Sequence, residues 1–157
     1  MLRQGRSAGQ GDGEQGLGEG DSTVYRWQPA FQADFAERLD GCVKPYAEAN
    51  HPPVVRIRGE RVRKVDAGNS VDLDARDTTD PDGDGLDFSW VIYPIHPDLA
   101  REVAIEGRGS PRARVVVHPT PTGQTIPILL AVTDRGHPRL TRYGRVLIMA
   151  ERVKVAR

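Results

Sequence analysis

The chain has 157 residues, 22 basic against 22 acidic, and no net charge. That is the length of one ordinary domain, long enough to bury roughly two-thirds of its unfolded surface. The balanced charge lacks the basic excess with which nucleic-acid binders neutralise phosphates. Seventeen Gly and 12 Pro against 38% hydrophobic residues fall short of a disordered composition. A lone cysteine, Cys42, rules out an internal disulfide and a Cys-rich zinc site. The longest apolar runs, such as 126–132, are far short of the ~20 residues of a membrane helix, so no membrane span is expected. Residues 1–10 hold no apolar core of a signal peptide.

Seven of the first 20 residues are glycine, set among polar ones, and a disordered leader is expected over 1–23. The region 24–51 changes character. Pro29 suits a first helical turn, Phe31, Phe35 and Leu39 recur at four-residue spacing, and Asp40-Gly41 supplies a stop. This predicts a short amphipathic helix with its stripe buried against a neighbour, and a second turn over 45–49. His51-Pro52-Pro53 then breaks the helical register and marks a domain boundary.

From 52 to 157 the pattern has period two. Strands are expected at 54–58, 61–66, 70–74, 86–93, 102–106, 113–118, 124–133 and 142–150. The turns between them, such as Asp82-Gly83-Asp84-Gly85 and Asp134-Arg135-Gly136, place Gly or Asp where positive φ is cheap. Seven or eight short strands predict an all-β fold, an immunoglobulin-like sandwich of the PKD/cadherin-like kind. Leu86, Phe88, Trp90 and Ile92 share one face of their strand, so Trp90 is a core candidate. Asp87, Ser89, Val91 and Tyr93 share the other.

The densest chemical feature is the run Asp72, Asp74, Asp77, Asp80, Asp82, Asp84 and Asp87. Asp80, Asp82, Asp84 and Gly85 match the opening of a calcium loop in which alternate carboxylates converge on the ion. Val91 stands where that loop needs a bidentate Glu, and a strand follows where it needs a helix. Two readings stay open: a looser calcium site at a sandwich edge, with Asp77 or Asp134 as a further ligand, or an Asp/Gly turn joining two strands, which is preferred. His51, His96, His118 and His137 have no ligand spacing and read as loop residues. No nucleophile elbow is present, Glu is scarce after Glu60, and catalysis by this chain is not expected. Two basic clusters, Arg56, Arg58, Arg61, Arg63 and Lys64, and Arg139, Arg142, Arg145, Arg152, Lys154 and Arg157, read as solvated edge-strand faces in preference to a docking face for an acidic partner.

Two stretches carry a family resemblance. Trp27-Gln28-Pro29-Ala30-Phe31-Gln32-Ala33-Asp34-Phe35-Ala36, continuing through Cys42-Val43-Lys44-Pro45-Tyr46 and Asn50-His51-Pro52-Pro53, resembles the junction of bacterial cellulose-binding proteins with an N-terminal nucleoside-hydrolase-like domain and a C-terminal immunoglobulin-like domain. Asp80-Pro81-Asp82-Gly83-Asp84, Phe88, Trp90, Tyr93-Pro94, Val132-Thr133-Asp134 and Leu140-Thr141-Arg142-Tyr143 are similar to that C-terminal domain, in order. The resemblance implies that 24–51 is a helical remnant of an upstream nucleoside-hydrolase-like domain, that no catalytic residue is carried over, and that the protein is secreted or periplasmic.

It also implies a non-catalytic, cellulose-associated module. Val91 replaces a second aromatic after Trp90, and the loop after Tyr93-Pro94 is Ile95-His96-Pro97-Asp98. Tyr93 is therefore the candidate carbohydrate contact, since the apolar C–H face of a sugar stacks on a π surface. Two alternatives are a structural domain bracing an enzyme-like partner through Phe31, Phe35 and Leu39, and a calcium-dependent adhesion module through Asp80, Asp82 and Asp84.

Overall fold

A computed structural model describes residues 19–93, 101–118 and 125–151. After helix α1 (Glu19–Val43) and a short 3-10 turn (Tyr46–Glu48) come seven strands: β1 (Val62–Asp66), β2 (Ser70–Asp74), β3 (Leu86–Ile92), β4 (Val103–Glu106), β5 (Arg112–Val117), β6 (Thr125–Asp134) and β7 (Thr141–Glu151). They form two facing sheets, one in the order β1-β7-β6-β3 and one in the order β2-β5-β4. Only β4–β5 and β6–β7 pair as sequence neighbours; elsewhere the chain crosses between sheets, and β1 lies parallel to β7. The fold is an immunoglobulin-like β-sandwich.

Alternation in the sequence becomes alternation in burial. In β6, Ile126, Ile128, Leu130 and Val132 are fully buried, and opposite them stand Leu73 and Val115 of the smaller sheet. Trp90 is at the centre, fully buried, with its indole N–H donating to the Ser110 carbonyl at 2.9 Å. That bond removes the cost of burying the ring's one polar atom. The β4–β5 turn that supplies it needs Gly107, where φ is +70° and a Cβ would lie 2.8 Å from the Arg112 carbonyl oxygen.

Three expectations are corrected. Residues 54–58 form no strand: Val54 makes one bridge to Thr79, and the segment crosses β7 where Gly144 leaves room. A Cβ at 144 would meet Ile57 Cδ1 at 2.8 Å. The helix begins at Glu19, so 19–23 belong to it and not to a leader, and Pro29 lies inside it. A proline removes one helical hydrogen bond without preventing helix on both sides. Asp40-Gly41 does not stop the helix; it ends at Val43, because Pro45 pushes Lys44 out of the α region.

Candidate functional site

In the acidic turn Asp80, Asp82 and Asp84 each bring an oxygen within 4.8 Å of the others. Gly83 takes the left-handed φ of +81° that the turn requires. Three of the six carboxylate oxygens are already engaged, while Asp80 Oδ2 is buried with no hydrogen-bond partner. Asp80 Oδ1 accepts the backbone N–H groups of Asp82 and Asp84 at 2.9 and 3.2 Å. Asp82 accepts from the His51 backbone N–H at 2.6 Å, and its second oxygen lies 2.8 Å from His51 Nδ1. Burial raises the Asp82 pKa, but the His51 side-chain and backbone bonds outweigh it and leave the carboxyl below its usual range. Asp84 is raised instead, by burial and then by the negative charges of Asp80, Asp134 and Asp82. Of the two further candidate ligands, Asp77 is held by a two-point pair with Arg58 at 2.5 and 2.6 Å. Asp134 is fully buried and otherwise engaged.

His51 is therefore more than a loop residue. It clasps the linker to the acidic turn and packs against Tyr46 with the rings tilted by 39°, centroids 3.9 Å apart. Beside it is a second clasp that sequence reasoning missed. Asp134 Oδ1 accepts the backbone N–H groups of Gly136 and Leu140, both at 3.0 Å, and Oδ2 accepts the Asn50 amide at 3.1 Å. That amide also donates to the Pro138 carbonyl at 2.8 Å, and any Cβ at Gly136 would collide with it. The Asp134-Arg135-Gly136 turn was visible in the sequence, but its partner lies 84 residues away.

On the larger sheet, register sets the outer face row by row. Ser89, Ala131 and Tyr143 share one row, and Val91, Leu129 and Arg145 the next. Beyond them, the backbone N–H of Tyr93 bonds the Pro127 carbonyl at 3.0 Å, in the row of Leu147 and Val62. Tyr93 is half-buried, while Tyr143 is 41% exposed. Strand spacing and rise put the two tyrosines about 16 Å apart on this face. Val91, Val62 and Met149 are exposed between and beside them. Burial, then the charge of Asp34, holds the Tyr143 hydroxyl pKa above its usual value. The loop 95–98 lies outside the described residues.

The outer face of the smaller sheet is ionic. Arg114 pairs with Asp72 at 2.8 Å, and Arg76 and Arg58 both reach Asp74. Part of the basic clusters is paired too: Arg139 with Asp87, Arg142 with Asp34, and Lys64 with Glu151. Residues 152–157, with Arg152, Lys154 and Arg157, lie outside the described residues.

Helix α1 lies over the upper end of the larger sheet. Pro29, Ala30 and Ala33 face Phe88, Ser89, Thr133 and Thr141 across a groove of about 380 Å³, and Asp34 pairs with Arg142. The apolar stripe is on the other side. Phe31, Phe35, Leu39 and Val43 are 68, 64, 53 and 80% exposed, which corrects the expectation of burial against a neighbour within the chain.

The chain is thus an immunoglobulin-like sandwich with a tyrosine-bearing sheet face, a latched linker and an exposed apolar helix stripe. Residues 70–150 match the family described as cellulose-binding protein Sde0182, C-terminal domain, and the chain belongs to that family. No curated protein matches its sequence.

Among solved structures it is similar to a nucleoside hydrolase-related hypothetical protein from Saccharophagus degradans that is associated with carbohydrate metabolism. The identity is 34% and the TM-score 0.76, over 82% of this chain and 33% of that one. This chain thus spans about a third of that relative's length. The PKD domain of the KIAA 1837 protein matches at 17% identity and TM-score 0.47, over 64% of this chain and 90% of that domain.

Proposed function

We propose that this chain is a non-catalytic, carbohydrate-associated module that works outside the cell beside a nucleoside-hydrolase-related domain, and that it meets polysaccharide through the outer face of its larger sheet. One observation carries the sugar contact: Tyr93 and Tyr143 stand on the same face of one sheet, with Val91 and Leu129 between them and Arg145 alongside. A sheet face with aromatic stations a few sugar rings apart, and a cation to donate to hydroxyls, suits an extended glucan. Membership of a cellulose-binding family and similarity to a protein associated with carbohydrate metabolism support the choice of ligand. Among the described residues no helix is long and apolar enough to cross a membrane.

Calcium at Asp80, Asp82 and Asp84 is the weaker reading of the acidic turn. The ion takes six to eight oxygens, whereas Asp82 is held by His51 and Asp80 Oδ1 by the turn itself. We infer that the turn acts first as the latch for the linker.

Amide shift mapping with a soluble cello-oligosaccharide tests the sugar contact. Shifts confined to β3, β6 and β7 around Val91, Leu129 and Tyr143 support it. Shifts on the ionic face of β2 and β5, or none at millimolar ligand, overturn it.

A further inference from the structure

Helix α1 is built inside out with respect to its own domain. A surface helix ordinarily turns its large apolar side chains toward the core it covers. Here the half-buried side toward the sandwich carries Ala30, Ala33, Asp34 and Glu37, and the four large apolar residues of the helix's second half project outward. Phe31, Phe35, Leu39 and Val43 follow one another at four-residue intervals and so form one continuous stripe. With Gln28 and Gln32 beside the two phenylalanines, the stripe borders a shallow groove of about 420 Å³. Its apolar centre and amide rim have the composition of a docking face. A stripe of four such side chains approaches the few hundred Å² that a soluble monomer leaves exposed as a contiguous apolar patch. The helix is also held on the sandwich, by Asp34–Arg142 and by the two clasps at Asn50 and His51, so the stripe is presented in a fixed direction.

The extent of the Saccharophagus match says what covers it. Eighty-two per cent of this chain is about 129 residues, more than the 106 from Pro52 onward, so the match reaches back into α1. In that relative the counterpart of α1 therefore belongs to the matched third, and two-thirds of that nucleoside hydrolase-related protein lies outside the match. We propose that the stripe Phe31, Phe35, Leu39 and Val43 is the seat of a nucleoside-hydrolase-related domain, which it fixes in orientation against the sandwich. This rests on the reading that the module works beside such a domain. It adds the surface, and it makes α1 a rigid bracket instead of a tether.

The test exchanges the matched third of the Saccharophagus protein for this whole chain and compares it with the chain alone, each with and without the double substitution Phe31→Gln, Phe35→Gln. Glutamine keeps helix propensity, and both positions are exposed, so the sandwich itself stays folded. The expected result is at least tenfold greater hydrogen-exchange protection of the α1 amides in the exchanged protein, lost in the double variant, with X-ray scattering that changes from one compact particle to two loosely joined ones. A compact particle whose α1 protection ignores the substitutions overturns the inference and leaves the companion-domain reading standing. Two independently moving domains before any substitution overturn both. A dimer of the free chain that the double variant dissolves makes a second copy the occupant and also overturns the proposal. Should the exchanged protein not fold, sedimentation of this chain mixed with the remaining two-thirds of the Saccharophagus protein reads the same contact: a complex lost in the double variant supports it, and no complex refutes it. Cellulose retention should be unchanged by the double substitution, so the sugar contact is judged separately.

Discussion

Removing the Asp134 carboxylate should unlatch the linker and the β6–β7 turn together. In Asp134→Ala, the N–H groups of Gly136 and Leu140 and the Asn50 amide lose their acceptor. Three buried or half-buried donors at ~1–1.5 kcal/mol each give a loss of about 3–4.5 kcal/mol, somewhat offset because a buried charge is no longer desolvated. Asp134→Asn keeps an oxygen for the two backbone donors but turns an amide toward the Asn50 amide, so one bond is lost, at about 1–2 kcal/mol. Asn50→Ala should be non-additive with Asp134→Ala by about 1 kcal/mol, the bond they share. Urea titration of the whole chain followed by tryptophan fluorescence measures the wild type, the three single variants and the Asn50→Ala/Asp134→Ala double variant. The assignment is wrong if Asp134→Ala costs under about 1 kcal/mol, or if the Asn and Ala variants are equally destabilised.

Four further outcomes follow from the same geometry. Trp90→Ala removes the largest fully buried side chain and its bond to Ser110, at a cost of ~3–5 kcal/mol; the sandwich should be largely unfolded by circular dichroism, whereas Tyr93→Ala should stay folded. Asp72, Asp77 and Asp87 are held below their usual pKa, chiefly by hydrogen bonds from Arg114, Arg58 and Arg135. Depressed carboxylates contribute stability that is present above the unfolded pKa near 4 and lost as pH falls through the folded values, so the melting temperature should fall steadily below about pH 4. Asp84 has the opposite sign, and Asp84→Asn should match or exceed the wild-type melting temperature at pH 7 and lose that advantage by pH 3. With Asp82 held by His51, 1 mM calcium should leave the melting temperature unchanged; a rise of several degrees that Asp84→Asn abolishes would instead assign the ion to this turn.

The strands were legible because a sandwich with two facing sheets buries every second residue, and Leu86, Phe88, Trp90 and Ile92 carry that period in the sequence itself. The segment 54–58 has the same alternation but no strand partner. Its pattern records Val55 and Ile57 packing over Gly144, a contact to a residue nearly ninety positions later. The apolar stripe on α1 was equally plain, yet periodicity shows only that a face is apolar, and not which body covers it. The acidic turn could be read as a turn, but the use of its carboxylates could not, because His51 and Asn50 reach Asp82 and Asp134 across 31 and 84 residues. Tyr143 was missed as a partner for Tyr93 because only strand register brings β7 and β3 onto one face.

Retention of the whole chain on insoluble cellulose tests the sugar-binding claim most directly, measured as the bound fraction against free concentration for wild type, Tyr93→Ala, Tyr143→Ala and the double variant. A stacking contact worth ~1 kcal/mol lowers affinity about fivefold when lost. The expected result is wild-type retention that weakens several-fold in each single variant and disappears into background in the double variant, all four remaining folded. Wild-type protein in the flow-through, or retention unaffected by both substitutions, would contradict a polysaccharide contact on this sheet face.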